Sequence, residues 1–135
     1  MTMTQAKRYK PAKVESSKGR QLSGLFNIIS SNLLLASEVL GQEYITSTVR
    51  ELEKCSKEAR DLAQELLNSS NGLYEDLSDK VSSLKHKTLN AIVDLTYELN
   101  KIDTSKGSDV KKVEDVLLAK RLLRESQRGL ITIQD

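Results

Sequence analysis

From Gln21 onward, leucine, isoleucine, valine and alanine recur at intervals of three and four residues, the spacing that sets side chains on one face of an α-helix. Leu22, Leu25, Phe26, Ile29, Leu33, Ala36 and Leu40 follow it, while Ile28, Leu34, Leu35 and Val39 fill much of the other side, so a first helix over 21–40 is expected to be covered on several faces. Gly41 is a natural stop. A second helix, from Glu43 to about Asn68, has the strictest period: Ile45, Leu52, Ala59 and Leu66 stand seven apart, with Thr48, Cys55 and Leu62 between them. That is the stripe of a bundle or a short coiled coil.

Ser69, Ser70, Asn71 and Gly72 then punctuate the chain. Leu77, Val81, Leu84, Thr88, Ala91, Leu95, Leu99 and Ile102 carry the period through a third helix, with no Gly or Pro between Leu73 and Ile102. At 1.5 Å per residue this is a rod of roughly 45 Å. Asp103 to Gly107 breaks it, Ser108 or Asp109 can cap a fourth helix, and Gly129 can end that one. Val113, Val116, Leu117, Leu123 and Leu118 or Leu122 supply its apolar side. Short connections between long helices favour antiparallel neighbours, so the expected fold is all-α. About four helices would form a hairpin or bundle, as one helical domain over 21–135 behind an extended basic arm over 1–20.

Charge divides the chain more sharply than its formal +2 suggests. Lys7, Arg8, Lys10, Lys13, Lys18 and Arg20 stand against Glu15 alone in the arm, six cations to one anion, whereas the other 115 residues hold 15 cations and 18 anions. The arm is low in hydrophobicity and contains Pro11, the only proline, so the sequence predicts a segment without a core of its own. In Lys7-Arg8-Tyr9-Lys10-Pro11-Ala12-Lys13, spaced cations could follow a phosphate backbone while Tyr9 stacks on a sugar or base. Near the other end Lys120, Arg124 and Arg128 are spaced by four, with Arg121 beside them, and a helix displays such a set as one stripe. Gln42 to Leu84, by contrast, holds five cations against nine anions.

Groups for chemistry are sparse. Aromatic residues are 4% of the chain and there is no Trp, which offers little to an aromatic-lined ligand pocket. Cys55 and His86 are single, so neither a zinc site built from Cys and His nor a Cys-x-x-Cys pair can be assembled, and the glycines stand alone at breaks rather than in a phosphate loop. A Cys55–His86 dyad is formally possible, but Cys55 falls on the heptad seam and His86 lies between Lys85 and Lys87. The expectation is a protein that is not an enzyme and needs no cofactor or metal, in a reducing compartment. Leu22 to Leu40 is the nearest approach to a membrane span, interrupted by Ser23, Asn27, Ser30, Ser31 and Asn32, and no membrane partner is expected.

A basic, proline-containing arm followed by about four helices in a chain of 135 residues resembles the major capsid proteins of archaeal filamentous viruses, those of the lipothrixvirus and rudivirus type. The resemblance is architectural. It implies a structural nucleocapsid protein, found in the virion and the host cytoplasm, that wraps double-stranded DNA. Two copies, identical or from related chains, would build each unit of a helical filament. The DNA contacts it implies fall on the arm cations Lys7, Arg8, Lys10, Lys13, Lys18 and Arg20, and on Lys120, Arg121, Arg124 and Arg128. The chain-to-chain interface is expected at Leu22, Phe26, Ile29, Leu33, Ile45, Leu52 and Leu62. The alternative is a helical-bundle adaptor or regulatory protein that grips a partner helix with the 45/52/59/66 stripe and binds no nucleic acid.

Overall fold

A computed structural model describes the backbone of residues 2–41, 46–68, 74–101 and 110–133, and the side chains of residues 18–41, 48–68, 77–101 and 113–133. Four helices account for nearly all of it: α1 (Thr2–Leu40), α2 (Thr46–Asn68), α3 (Tyr74–Asn100) and α4 (Val110–Ile131). Each packs on its neighbours in sequence and α4 closes on α1, with the α1–α2 pairing the most extensive and α3–α4 the least. The described part of the chain is therefore an all-α bundle, as the apolar period requires.

Directions follow from paired residues. Ser23 meets Ala63 and Ser30 meets Ser56, so a step of seven along α1 is matched by a step of seven backwards along α2. Glu65 meets Lys80 and Glu58 meets Lys87, the same relation between α2 and α3. These two half-exposed ion pairs fix register more than they add stability. Gly129 of α4 lies against Leu25 and Ile29 of α1.

The core is a single cluster in which the heptad reading holds. Leu52, Cys55, Ala59, Leu62 and Leu66 are buried from α2, and Leu77, Val81, Leu84, Thr88, Ala91, Leu95 and Leu99 from α3. Ile45 and Ile102 lie outside the described residues. Gly41 ends α1 in the left-handed region, at φ 58°, and its amide donates to the Ser37 carbonyl at 3.0 Å. A glycine adopts this backbone without strain.

The α1–α2 seam is made of small residues. Ser23 Oγ donates to the Ala63 carbonyl at 2.7 Å. Ser30 Oγ donates to the Ser56 carbonyl and Ser56 Oγ to the Ser30 carbonyl, each at 2.8 Å. A hydroxyl one carbon from the backbone reaches a carbonyl on the facing helix only if the two axes lie close together, near the lower end of the usual 8–10 Å range. Cys55, Ser56 and Thr88 stand near the level of this Ser30–Ser56 exchange, and the Gly129 contact places Ser126 of α4 there too. The result is a thin polar layer across an otherwise aliphatic core.

Three expectations are corrected. Residues 2–20 are helical and continue α1, where an extended arm was expected. Ala6, Lys7, Arg8, Lys10, Ala12, Lys13 and Glu15 are good helix formers. Extending an existing helix also needs no new nucleus. Pro11 removes one amide from the ladder without ending it. Gly129 does not end α4, which runs on to Ile131. A Cβ at that glycine would come within 3.0 Å of Leu25 Cδ1, so its place reflects close approach to α1 rather than capping. Finally, Lys18–Leu40 is the one described helical segment long and apolar enough to cross a membrane by length and composition, despite its serines. Within the bundle Ser23 and Ser30 are buried against α2.

The chain after α4 is also held. Leu130 and Ile133 are buried, Thr132 Oγ1 donates to the Gly129 carbonyl at 2.6 Å, and Lys85 Nζ donates to the Ile133 carbonyl at 2.6 Å. Lys85 is only 9% exposed, so its ammonium is set against the negative end of the α4 dipole from within α3.

Candidate nucleic-acid interface

The outer face of α4 is basic in the middle and apolar at both ends. Leu117, Arg121, Arg124, Arg128 and Ile131 are all exposed and separated by three or four residues, which places them on one stripe. The opposite side of the same helix, with Val116, Ala119, Leu122, Leu123, Ser126 and Leu130, is buried in the bundle. Burial of that side dictates exposure of the arginines. Lys120, expected to share the stripe, is half-buried at its margin.

Arg121 to Arg128 spans about 10 Å along the helix. Among the described residues none of the three arginines is engaged in an ion pair. Glu125 is exposed beside them and is the local competitor. A guanidinium is permanently charged and offers a planar fork of donors that matches phosphate oxygens. A rigid helix that holds three of them in line suits a polyanion better than a single small anion.

The arm enters this picture through register. Extending the Ser23–Ala63 pairing, the last residue of α2, Asn68, stands opposite residue 18, and a Cβ on Gly19 would meet the Leu66 carbonyl oxygen at 3.5 Å. Residues 2–17 of α1 therefore run on past the end of α2, as a helical overhang of about 24 Å. Arg128 is the member of the stripe nearest that end. Lys18 and Arg20 are exposed where the overhang begins, while the side chains of Lys7, Arg8, Tyr9, Lys10 and Lys13 lie outside the described residues.

The residues expected to form a chain-to-chain interface are differently placed. Leu22, Phe26, Ile29, Leu33, Leu52 and Leu62 are buried in the chain's own core. The apolar side chains left outside on α1 are Ile28 and Leu35, 61% and 43% exposed. On α3, Val93 and Tyr97 are exposed, with Lys101 Nζ 4.5 Å from the Tyr97 ring centre.

The groups that could carry chemistry do not converge. Cys55 is buried while His86 is exposed on α3. Burial pushes the Cys55 thiol above its ordinary range, opposed in part by Thr88 beside it. That effect belongs to the thiolate; with the thiol protonated, the Thr88 hydroxyl has no partner within hydrogen-bond geometry. Among the described residues no three His, Cys, Asp or Glu side chains gather as a metal site.

A groove of about 570 Å³ between α2 and α3 was not anticipated from the sequence. The nearest signal was the acidic balance of residues 42–84. Leu62 and Leu84 line it together with Glu58, Asp61, Glu65 and Asp79, and Lys80 and Lys87 are bound to two of those carboxylates. No family model, curated protein or solved structure matches this chain.

Proposed function

We propose that this chain is a structural nucleic-acid-binding protein, of the kind that coats double-stranded DNA in a helical filament, with the outer face of α4 as its phosphate contact. The carrying observation is the exposed Arg121–Arg124–Arg128 stripe, held in line by a helix whose other side is fixed in the core. Six further cations of the sequence, from Lys7 to Arg20, belong to the segment whose backbone carries α1 beyond the Arg128 end of the bundle. The resemblance to filament-forming capsid proteins supports the same reading. The adaptor reading needs Leu52, Ala59 and Leu66 to face a partner helix, whereas all three are buried within the chain.

Salt dependence tests it. Each phosphate neutralised contributes roughly −0.9 to the slope of log affinity against log salt on double-stranded DNA, so the three arginines account for about −2.7. Replacing Arg121, Arg124 and Arg128 with Ala should flatten the slope by about that amount, equally for unrelated sequences, because phosphate contacts position without specifying. Fluorescence anisotropy with short duplexes measures it. A wild-type protein that binds no DNA or RNA at about 50 mM salt, where screening is weak, ends the proposal.

A further inference from the structure

The outer face of α1 differs from those of the other helices. α2, α3 and α4 turn charged side chains to solvent along their length, whereas α1 carries no charge from Gln21 to Ser37. Apart from Asn27, the exposed residues from 21 to 40 are Gln21, Gly24, Ile28, Ser31, Leu35 and Glu38. Their intervals of three, four, three, four and three are those of the two seam positions of a heptad, here on the side of α1 that its own bundle leaves uncovered. Half-buried Leu25, Leu34 and Val39 flank this seam, which is about 26 Å long.

Side-chain size alternates along it. Ile28 and Leu35, 61% and 43% exposed, hold one seam position, and Gly24 and Ser31 hold the other. A Cβ on Gly24 would have nothing within 4 Å in its own chain, so a notch stands open there. Two identical helices laid antiparallel join one seam position to the other in every layer. Leu35 then enters the notch at Gly24 of the second copy, Ile28 lies on Ser31, and Gln21 meets Glu38. Arg20 stands beside Glu38 of the second copy at each end, and among the described residues neither is in an ion pair within its own chain. A parallel pair would set Leu35 on Leu35 and leave a gap between the two Gly24 positions, with Arg20 and Glu38 each beside its own kind, and like charges disfavour that arrangement.

We propose that the outer face of α1 is a self-association surface, on which two copies of this chain pair antiparallel about a two-fold axis between Ile28 and Ser31. Size and charge are both self-complementary in that one arrangement. The same patch serves both partners, so the contact is isologous and closes at two copies. It needs no nucleic acid and uses a different helix from the arginine stripe of α4. It goes beyond the phosphate reading and does not rest on it.

The test is sedimentation velocity of nucleic-acid-free full-length protein across micromolar concentrations, with circular dichroism as the check on folding. Wild type is expected to pass from monomer to dimer as concentration rises. Gly24→Leu is the most informative variant. Its side chain has room in its own chain and improves on the helix propensity of glycine, so the fold is kept, but it fills the notch that Leu35 of the second copy needs. It should weaken dimerisation about tenfold or more. In a parallel pair the same leucine would fill a gap and strengthen association, a result that would overturn the antiparallel arrangement. Arg20→Glu and Glu38→Arg should each weaken the dimer roughly threefold, and the two together in one chain should restore it. A wild type that stays monomeric, a Gly24→Leu protein that dimerises as well as wild type, or a double charge swap as weak as the single ones would each overturn the proposal. A monomeric wild type that floats with uncharged phospholipid vesicles would assign the same face to lipid instead.

Discussion

Substituting Ser30 probes how closely α1 and α2 approach. Its Oγ lies 2.8 Å from the Ser56 carbonyl oxygen and 3.2 Å from Ser56 Oγ, and the residue is buried. Ser30→Ala removes this hydroxyl and keeps the space, which should cost about 1 kcal/mol, the usual net worth of one buried hydrogen bond. Ser30→Leu adds three carbons where carbon needs roughly 3.5–4.0 Å to its neighbours. The helices must then separate, adding an overpacking cost of about 1–3 kcal/mol and breaking the reciprocal Ser56 bond for about 1 kcal/mol more. The leucine variant should therefore lose about 3–5 kcal/mol, against a total that is typically 5–15 kcal/mol for a domain. Urea titration followed by circular dichroism measures both, and the alanine variant should keep the wild-type m-value. Equal costs for alanine and leucine, or a leucine variant as stable as wild type, would refute the close seam.

Thr88 and Ser126 are 1% and 0% exposed, and neither hydroxyl has a hydrogen-bond partner. Thr88→Val and Ser126→Ala should each stabilise the bundle, by about 1 kcal/mol or more, because a buried unsatisfied hydroxyl is removed with little change of shape; a loss of stability in thermal melts would count against an unsatisfied layer. Burial raises the Cys55 thiol above its ordinary 9.0, so the folded state resists ionisation that the unfolded state allows. Its contribution to stability is complete below pH 9.0 and declines as pH rises from there through the folded-state pKa, and Cys55→Ala should flatten that alkaline decline in urea midpoints measured against pH. Lys85→Met keeps the buried stem but removes the ammonium from the Ile133 carbonyl, which should cost about 1.5–3 kcal/mol and raise amide exchange in the last turn of α4. Unchanged exchange there would mean that the cap does not hold the helix end.

The fold was legible because its core is aliphatic and periodic: Leu52, Ala59 and Leu66 on α2, and the run from Leu77 to Leu99 on α3, are buried where the spacing places them. Gly41 was legible for a different reason, since a left-handed cap has few alternatives to glycine. The serines of α1 misled, because in one dimension they interrupt an apolar run, while in three they are the surface α2 packs against. Gly129 misled in the same way, its role being set by Leu25 more than a hundred residues earlier. The helical backbone of the arm was not legible because its polar residues carry no apolar period, whereas extending the helix that follows needs no new nucleus. At the candidate site, spacing alone found Arg121, Arg124 and Arg128, but whether Lys120 joins them depends on the contact with the bundle. The α2–α3 groove needs two helices in register, and no single segment of sequence shows it.

The antiparallel order in which every helix touches the next also bears on how quickly the chain finds its structure. Most contacts join residues close in sequence, a topology of low contact order that folds in roughly microseconds to milliseconds. The α1–α2 hairpin, with its reciprocal serine bonds, is the natural nucleus, and the meeting of α4 with α1 carries the greatest loop-closure entropy. Substitutions at Ser30 and Ser56 should therefore slow folding, while those at Gly129 should chiefly hasten unfolding. The helix that presents the arginines closes the bundle by meeting both α1 and α3, so a polyanion bound along it would add its binding free energy to that closure.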